Sequence, residues 1–354
     1  MPLYSPDKIR RLLAVLPAEE ALRQGPEELQ RIMGGDLDSA RRLRDMALAF
    51  DAERELEEEA RLGIRLIAWD DPEFPESLLW AKECPLVIYA QGDVTEGQAA
   101  AAVVGSRGPS PYGRRVARLL AGDLARRGVT IVSGLARGID SEAHEAALSC
   151  RGRTWAVLGG GLQRVYPPEN VALARRIVDS GGCVLSELAL RASPNKLNFI
   201  RRNRLVAALG WAVVVVEGRE RSGASITAHD AAELGRDVFA VPGPVDSPLS
   251  DLPHGLLKAG ARPACSAEDV LASLDAGRRL ALGAAAPRPP RRAASLSLEY
   301  SKILQYIGCE AVTVDALAAE TGLELPRLSN ILFEMELQGL ISPFPGQRYA
   351  KKVL

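Results

Sequence analysis

The stretch "VTIVSGLARGID", residues 129–140, decides the fold. Four apolar or β-branched residues run without alternation, Gly134 breaks the run, and Gly138 opens "IDSEAHEAALSCRG", a segment with helical spacing. An unbroken short apolar run marks a strand buried on both faces, and a strand that turns through glycine into a helix is half of a βαβ unit. The same pattern recurs on either side. "AAAVVGSR" (100–107) closes on Gly105 ahead of the helical "YGRRVARLLAGDLARRG" (112–128). "TWAVLGGG" (154–161), "CVLSE" (183–187), "WAVVVVEG" (211–218) and "VFAVPGP" (238–244) follow, separated by helical segments near 170–180, 199–209 and 224–235. Strands alternating with helices predict an α/β fold, a Rossmann-like doubly wound parallel sheet. The strand-like pieces "IRLIAW" (64–69) and "LVIYAQG" (86–92) precede it, so the expected domain spans 63–274.

Outside that domain the composition changes. Residues 1–62 read as a small helical domain, and the acidic run "FDAERELEEEARLG" at its end reads as a solvated helix face. "DAGRRLALGAAAPRPPRRAAS" has no acid after Asp275, and residues 275–296 read as a flexible basic linker. Residues 297–354 read as a winged helix: a helix in "LEYSKILQYIG", a helix-turn-helix with Thr313 as an N-cap and Pro326 near a helix start, and a hairpin in "SPFPGQRYAKKVL". The candidate recognition helix "LPRLSNILFEMELQG" sets Arg327 against Glu334 and Glu336. That charge favours a protein contact over duplex DNA, while the basic wing "RYAKKVL" keeps the duplex reading open.

Composition narrows the function classes. The 44 Lys and Arg balance 45 Asp and Glu, so no global field draws the chain to nucleic acid and any such site is local. No apolar run is long enough for a membrane span, and the N-terminus lacks the apolar centre of a signal peptide. The five cysteines are scattered, odd in number and outside any Cys-x-x-Cys pair, which predicts reduced thiols in the cytoplasm. With three histidines besides, neither a metal site nor a cofactor is expected. "GSRGPSPYG" has the wrong spacing for a dinucleotide fingerprint, and no P-loop occurs.

Ligands of an open parallel sheet bind outside the carboxyl ends of the strands. Those ends supply Gly105, Ser106 and Arg107, then Ser133 and Gly134 at a turn that opens a helix, where backbone N–H groups favour an anion. The stretch "NKLNFIRRNR" (195–204) adds Lys196, Arg201, Arg202 and Arg204 around Phe199 and Asn203. Guanidinium forks suit phosphate, and a ring among cations suits an unpaired base, which together describe single-stranded nucleic acid. Three of them have a second reading, Phe199 as an anchor of its helix to the sheet and Arg202 and Arg204 as donors to loop carbonyls, whereas Lys196, in a loop after "SPN", is the better phosphate candidate because lysine rarely takes a buried role.

The motifs "VVGSRGPSPYG", "VSGLARGIDSEAHEAAL", "TWAVLGGGLQRVYPPEN", "VLSELAL", "FIRRNRLVAALGWAVVVVEG", "SGASITAHDAAELGRDVFAVPG" and "GLLKAGA" resemble, in order and spacing, the DNA-processing protein A (DprA/Smf) family over residues 74–262. The resemblance implies an extended Rossmann-like fold that binds single-stranded DNA without being an enzyme. It also implies homodimerisation through the late part of that domain, and loading of the RecA recombinase in natural transformation, with DNA repair as a further setting. It assigns DNA contacts to Arg107, Lys196, Phe199 and the triplet Arg202, Asn203 and Arg204. Departures from the family pattern are Ile200 for a proline, His254 for an asparagine, "YPPEN" without its usual cation, and no "PGIG" hairpin among the N-terminal helices. An enzyme of another class, a Rossmann-like nucleotide N-glycosidic hydrolase, would need Glu187 or His144 as acid or base, but lacks its glycine-rich phosphate motif. A scaffold that binds no DNA is the third class.

Overall fold

The computed structural model describes residues 6–96, 99–273, 303, 306–307, 312–323, 325–337, 341–344 and 348–351. The expected linker at 275–296 lies outside them. The chain divides into two compact units, residues 1–283 and 284–354.

The first unit is built on nine strands: β1 Ile64–Ala68, β2 Val87–Gly92, β3 Ala100–Val104, β4 Thr130–Ser133, β5 Thr154–Val157, β6 Cys183–Ser186, β7 Ala212–Val215, β8 Asp237–Ala240 and β9 Arg262–Pro263. Their order is β1-β2-β6-β5-β4-β3-β7-β8-β9. From β6 to β9 every pairing is parallel, while β1 with β2 and β2 with β6 are antiparallel. The continuous apolar runs therefore became the doubly wound sheet, and the two early strands extend it by one antiparallel edge. The chain winds outward from β3 through β4 to β6, then returns to the other side of β3 as β7. The crevice between β3 and β7 is the topological switch point.

Strand alternation divides the core between two faces. Ala102, Val104, Val213 and Val215 face one layer with Leu205, Leu209 and Ala228. These helical residues come from α9 (Lys196–Leu209) and α10 (Gly223–Glu233). Ala101, Val103 and Val214 face the other, with Leu120, Leu124, Ala143 and Ala147, from α6 (Pro111–Arg126) and α7 (Ile139–Ser149). Each valine so buried contributes about 1.5–3 kcal/mol. Helices α8 (Val171–Asp179) and α11 (Asp251–Lys258) complete the sheet's cover. Among the described residues, no helix is long and apolar enough to cross a membrane.

Five helices precede the sheet: α1 Pro6–Val15, α2 Ala18–Arg23, α3 Pro26–Met33, α4 Leu37–Ala49 and α5 Ala52–Leu62. Leu12, Leu29, Met33 and Ala40 form their own small core. The acidic run is less solvated than its charge suggests. Glu59 is buried, Glu55 accepts from the Leu190 amide at 3.1 Å, and Glu58 takes both oxygens to Arg191 at 2.7 Å. Burial pushes the Glu59 carboxyl up, with nearby Glu55 adding to the shift. Arg10 of α1 donates to the Cys84 carbonyl at 2.5 Å and lies over the Trp69 ring. An acidic helix face has become a docking face.

The second unit is a winged helix. Its helices are α12 (Val314–Thr321) and α13 (Leu325–Leu337), and its three-stranded antiparallel sheet comprises β10 (Val312–Thr313), β11 (Ile341–Phe344) and β12 (Arg348–Lys351). Thr313 caps α12, accepting from the Ala316 amide at 3.3 Å. Leu317, Leu328, Leu332 and Met335 fill its core, and Phe333 is exposed on α13.

Candidate nucleic-acid interface

A cavity of about 1070 Å³ opens at the switch point. The β3 end supplies Gly105, Ser106 and Arg107, the β4 turn Gly134, helix α9 Lys196, Phe199, Arg202 and Asn203, and the β7 end Arg219 to Ser222. Eight of the eleven residues expected at the site thus meet in one cavity. The other three do not. The Ser133 hydroxyl is buried and donates to the Val103 carbonyl at 2.6 Å. Arg204 is buried against Glu187 at 2.5 Å. Arg201 lies on a part of α9 outside the lining. Positions 201 and 204 fall on other faces of the helix than Phe199 and Asn203, which are four residues apart and share one.

Helix α9 starts earlier than its apolar spacing indicates. The Asn195 side chain caps it, accepting from the Asn198 amide at 2.9 Å, so Lys196 is its first residue rather than part of a loop. Lys196 and Phe199 then stand one turn apart above the cavity. The Asn203 side chain donates from Nδ2 to the Gly223 carbonyl at 3.0 Å and ties α9 to the start of α10.

Arg107 is exposed, and its guanidinium carbon lies 5.3 Å from the Phe199 ring centroid. Phe199 also meets the ring of Tyr166 at 5.7 Å, and Arg137 lies over Tyr166 at 5.7 Å. Arg107, Phe199, Tyr166 and Arg137 follow one another in contact, with the two rings tilted by 49° and an arginine at each end. Phe199 is half-buried: it rests on Gly159, where an added Cβ would fall 2.5 Å from the ring. Both readings of Phe199 have a basis here, since one side of the ring is packed and the other belongs to the cavity. Tyr166 and Arg137 carry only a weak sequence signal, an aromatic beside "PPEN" and an arginine inside a glycine turn. Arg219 and Arg221 are legible only as a basic pair around Glu220; the position of β7 at the switch point recruits them.

Arg202 is 4% exposed and acts inward. It donates to the Gly134 carbonyl at 2.5 Å and to the Val157 carbonyl, tying the β4 and β5 ends to α9. Gly134 makes room for it: a Cβ there would lie 2.2 Å from Nη1. Burial pushes the Arg202 guanidinium down to about 10, with Asp140 opposing and Arg107 adding to the shift, so it keeps its charge at neutral pH. The carbonyl-donor reading of Arg202 is the one its geometry supports.

The amides at the starts of α6 and α7 do not await an anion as the glycine turns suggest. The Asp140 carboxylate accepts from the Gly134 and Ala136 amides at 3.2 and 3.3 Å and fills the start of α7. Burial pushes the Asp140 carboxyl up against the pull of Arg202 and of those amides. At the start of α6 the carboxylate of Glu217, 3% exposed, accepts from the Ser110 amide at 2.9 Å. The glycines after β5 serve close packing, Gly161 lying where a Cβ would meet the Ala189 and Leu190 carbonyls at 2.2 Å. With the starts of α6 and α7 holding internal carboxylates, the cavity's attraction for an anion comes from its side chains and from the start of α10, which lines it without a side-chain cap. Arg107, Lys196, Arg202, Arg219 and Arg221 outnumber Asp140 and Glu220 in its lining.

The residues an N-glycosidic hydrolase would use lie elsewhere. His144 is fully buried in α7, and burial depresses its imidazole to about 3. The Thr154 hydroxyl spends its proton on the Ile131 carbonyl at 2.7 Å, so the 2.6 Å contact with His144 is a donation from Nδ1. Glu187 faces Arg204 outside the cavity.

A family model described as DNA recombination-mediator protein A matches residues 65–275, and one described as DprA winged helix domain matches 287–347. The chain is 39% identical over 288 residues to Protein Smf of Escherichia coli, covering 79% of this chain and 76% of that one. It is 40% identical over 215 residues to DNA processing protein DprA of Bacillus subtilis, covering 60% and 72%. Among solved structures, DNA processing protein A of Streptococcus pneumoniae aligns with a TM-score of 0.63 and 33% identity over 77% of this chain and 98% of that one. DNA processing protein A of Helicobacter pylori, studied for its single-stranded DNA binding mode, aligns with a TM-score of 0.54 and 29% identity over 60% and 96%.

Proposed function

Because the chain belongs to the DNA recombination-mediator protein A family, the DprA/Smf DNA-processing proteins, we propose that it grips single-stranded DNA in the switch-point cavity. The observation that carries this reading is the juxtaposition of Arg107 and Phe199 at 5.3 Å with Lys196 one turn away. A phosphate needs a cation with an unspent charge, and an unpaired base needs a ring face; this corner of the cavity offers both. Glu217 and Asp140, filling the starts of α6 and α7, argue against a nucleotide phosphate seated at either of those two helix starts. Arg107, Lys196, Phe199, Asn203, Gly105, Ser106 and Gly134 form the contact surface of this proposal, with Arg202 holding its floor. Arg204 enters through the family motif alone, Arg201 through its place in the cationic stretch 195–204, and Ser133 through its place at the end of β4. The finer role rests on the family resemblance: the protein protects an incoming strand and loads RecA during natural transformation and in repair. It does so in the cytoplasm, as a homodimer through the late Rossmann-like region, by binding rather than catalysis.

A mobility-shift titration of single-stranded and duplex oligonucleotides against the wild type, Arg107→Ala and Lys196→Ala tests the site. The single strand binds more tightly, and each substitution weakens it and lowers the salt slope by about one phosphate contact. An unchanged salt slope in both variants refutes the assignment.

A further inference from the structure

Resting on that site, the geometry points to Glu217 as a positioning residue that holds Arg107 in its binding pose. Arg107 sits on the five-residue segment from Ser106 to Ser110, between the end of β3 and the start of α6. Glu217, two residues past β7, grips both ends of that segment. Its backbone carbonyl accepts from the Ser106 amide at 2.7 Å. Its carboxylate accepts from the Ser110 amide at 2.9 Å and from the Ser110 hydroxyl at 2.5 Å. The Ser110 hydroxyl in turn accepts from the Gly113 amide at 3.1 Å and caps α6. Gly113 is part of the same device, because a Cβ there would fall 2.2 Å from the Glu217 carboxylate.

The carboxylate is buried and forms no ion pair with a described cation. It meets the start of α6, whose amides and dipole favour an anion at that place. A buried acid used in this way is costly unless its hydrogen bonds are all made, so the latch has one geometry. The Ser106 end is also fixed from the opposite side, where the Ile139 amide donates to the Ser106 carbonyl at 3.1 Å. Between these fixed points Arg107 has little freedom except in its side chain, which reaches over Phe199. Glu217 itself does not line the cavity, so it acts through Arg107 and not on DNA.

A double-substitution cycle read by anisotropy of a fluorescein-labelled oligodeoxythymidylate tests this on the full-length protein. Glu217→Ala weakens binding and lowers the salt slope as Arg107→Ala does. Arg107→Ala with Glu217→Ala binds no more weakly than Arg107→Ala alone, because the second substitution acts only through the first residue. Glu217→Gln, which keeps an acceptor for the Ser110 amide, restores most of the affinity. Multiplicative losses in the double variant, or wild-type affinity in Glu217→Ala, overturn the inference. Wild-type affinity in Arg107→Ala overturns the site itself, a distinguishable result. If Glu217→Ala loses its thermal unfolding transition, Ser110→Ala enters the same cycle in its place, with the same two outcomes decisive.

Discussion

Phe199 and Arg202 sit three positions apart on one helix and line one cavity, yet they differ in where their polar or aromatic capacity is spent. Arg202 donates from one guanidinium nitrogen, Nη1, to two carbonyls and is buried, whereas Phe199 keeps part of its ring in the cavity. Phe199→Ala should therefore cost about 1–3 kcal/mol of single-strand affinity with the fold intact. Arg202→Met should instead cost about 1–3 kcal/mol of stability, since it leaves the Gly134 and Val157 carbonyls without this donor in the interior. Urea unfolding alongside DNA titration separates them, and an Arg202→Met chain with wild-type stability would restore that residue to the contact surface. His144 adds a pH dependence. Its ordinary value is 6.5 and its folded value about 3, so below pH 6.5 the unfolded chain binds a proton that the folded chain refuses. Its contribution is full above 6.5 and is lost as pH falls towards 3, by about 2 kcal/mol on reaching about pH 5. Asp140 and Glu59, both held up by burial, act in the opposite sense, so the difference between wild type and His144→Gln is the quantity to follow. A wild-type urea midpoint that declines no faster than that of His144→Gln would contradict the assignment.

At the scale of elements, the parallel strands were legible because burial on both faces leaves no polar residue in runs such as Ala212–Val215. The meeting of Arg107, Lys196 and Phe199 was legible because strand ends of a doubly wound sheet share an edge. The internal carboxylates were not. A glycine turn looks the same whether its amides face solvent or Asp140, and only the positions of β7 and α7 bring Glu217 and Asp140 to the two helix starts. The antiparallel β1 and β2 were likewise ambiguous, since short apolar pieces do not encode direction. The start of α9 was missed because "SPN" reads as loop, although its Asn195 is a good cap. That cap has a measurable consequence. Asn195→Ala should lower stability by about 1 kcal/mol, and it frays the turn that carries Lys196. Single-strand affinity then falls in proportion to what Lys196→Ala loses, and never below it. A larger loss than Lys196→Ala would mean that Asn195, which also lines the cavity, touches DNA directly.

For the whole molecule the relevant contrast is between a net charge of −1 and a cavity with a surplus of cations. Attraction to a polyanion is then short-ranged, arising where Arg107, Lys196, Arg219 and Arg221 stand and screened within about 10 Å at moderate salt. All of these residues belong to the first compact unit, which closes on its own core through Val270 and the bond from Ser273 to Asp237. The winged helix has a separate core, and α13 presents the exposed Phe333 together with Glu334 and Glu336. Such a face is poorly suited to a phosphate backbone, which rewards cations. Cutting the chain after Gly283 should therefore leave the single-strand salt slope unchanged and affinity within about twofold, because no phosphate contact is removed. The measurement is the same anisotropy titration at several salt concentrations on the full and shortened chains. A slope reduced by two or more contacts would move part of the DNA surface into residues beyond 283, where the basic run at 288–292 is the first place to look.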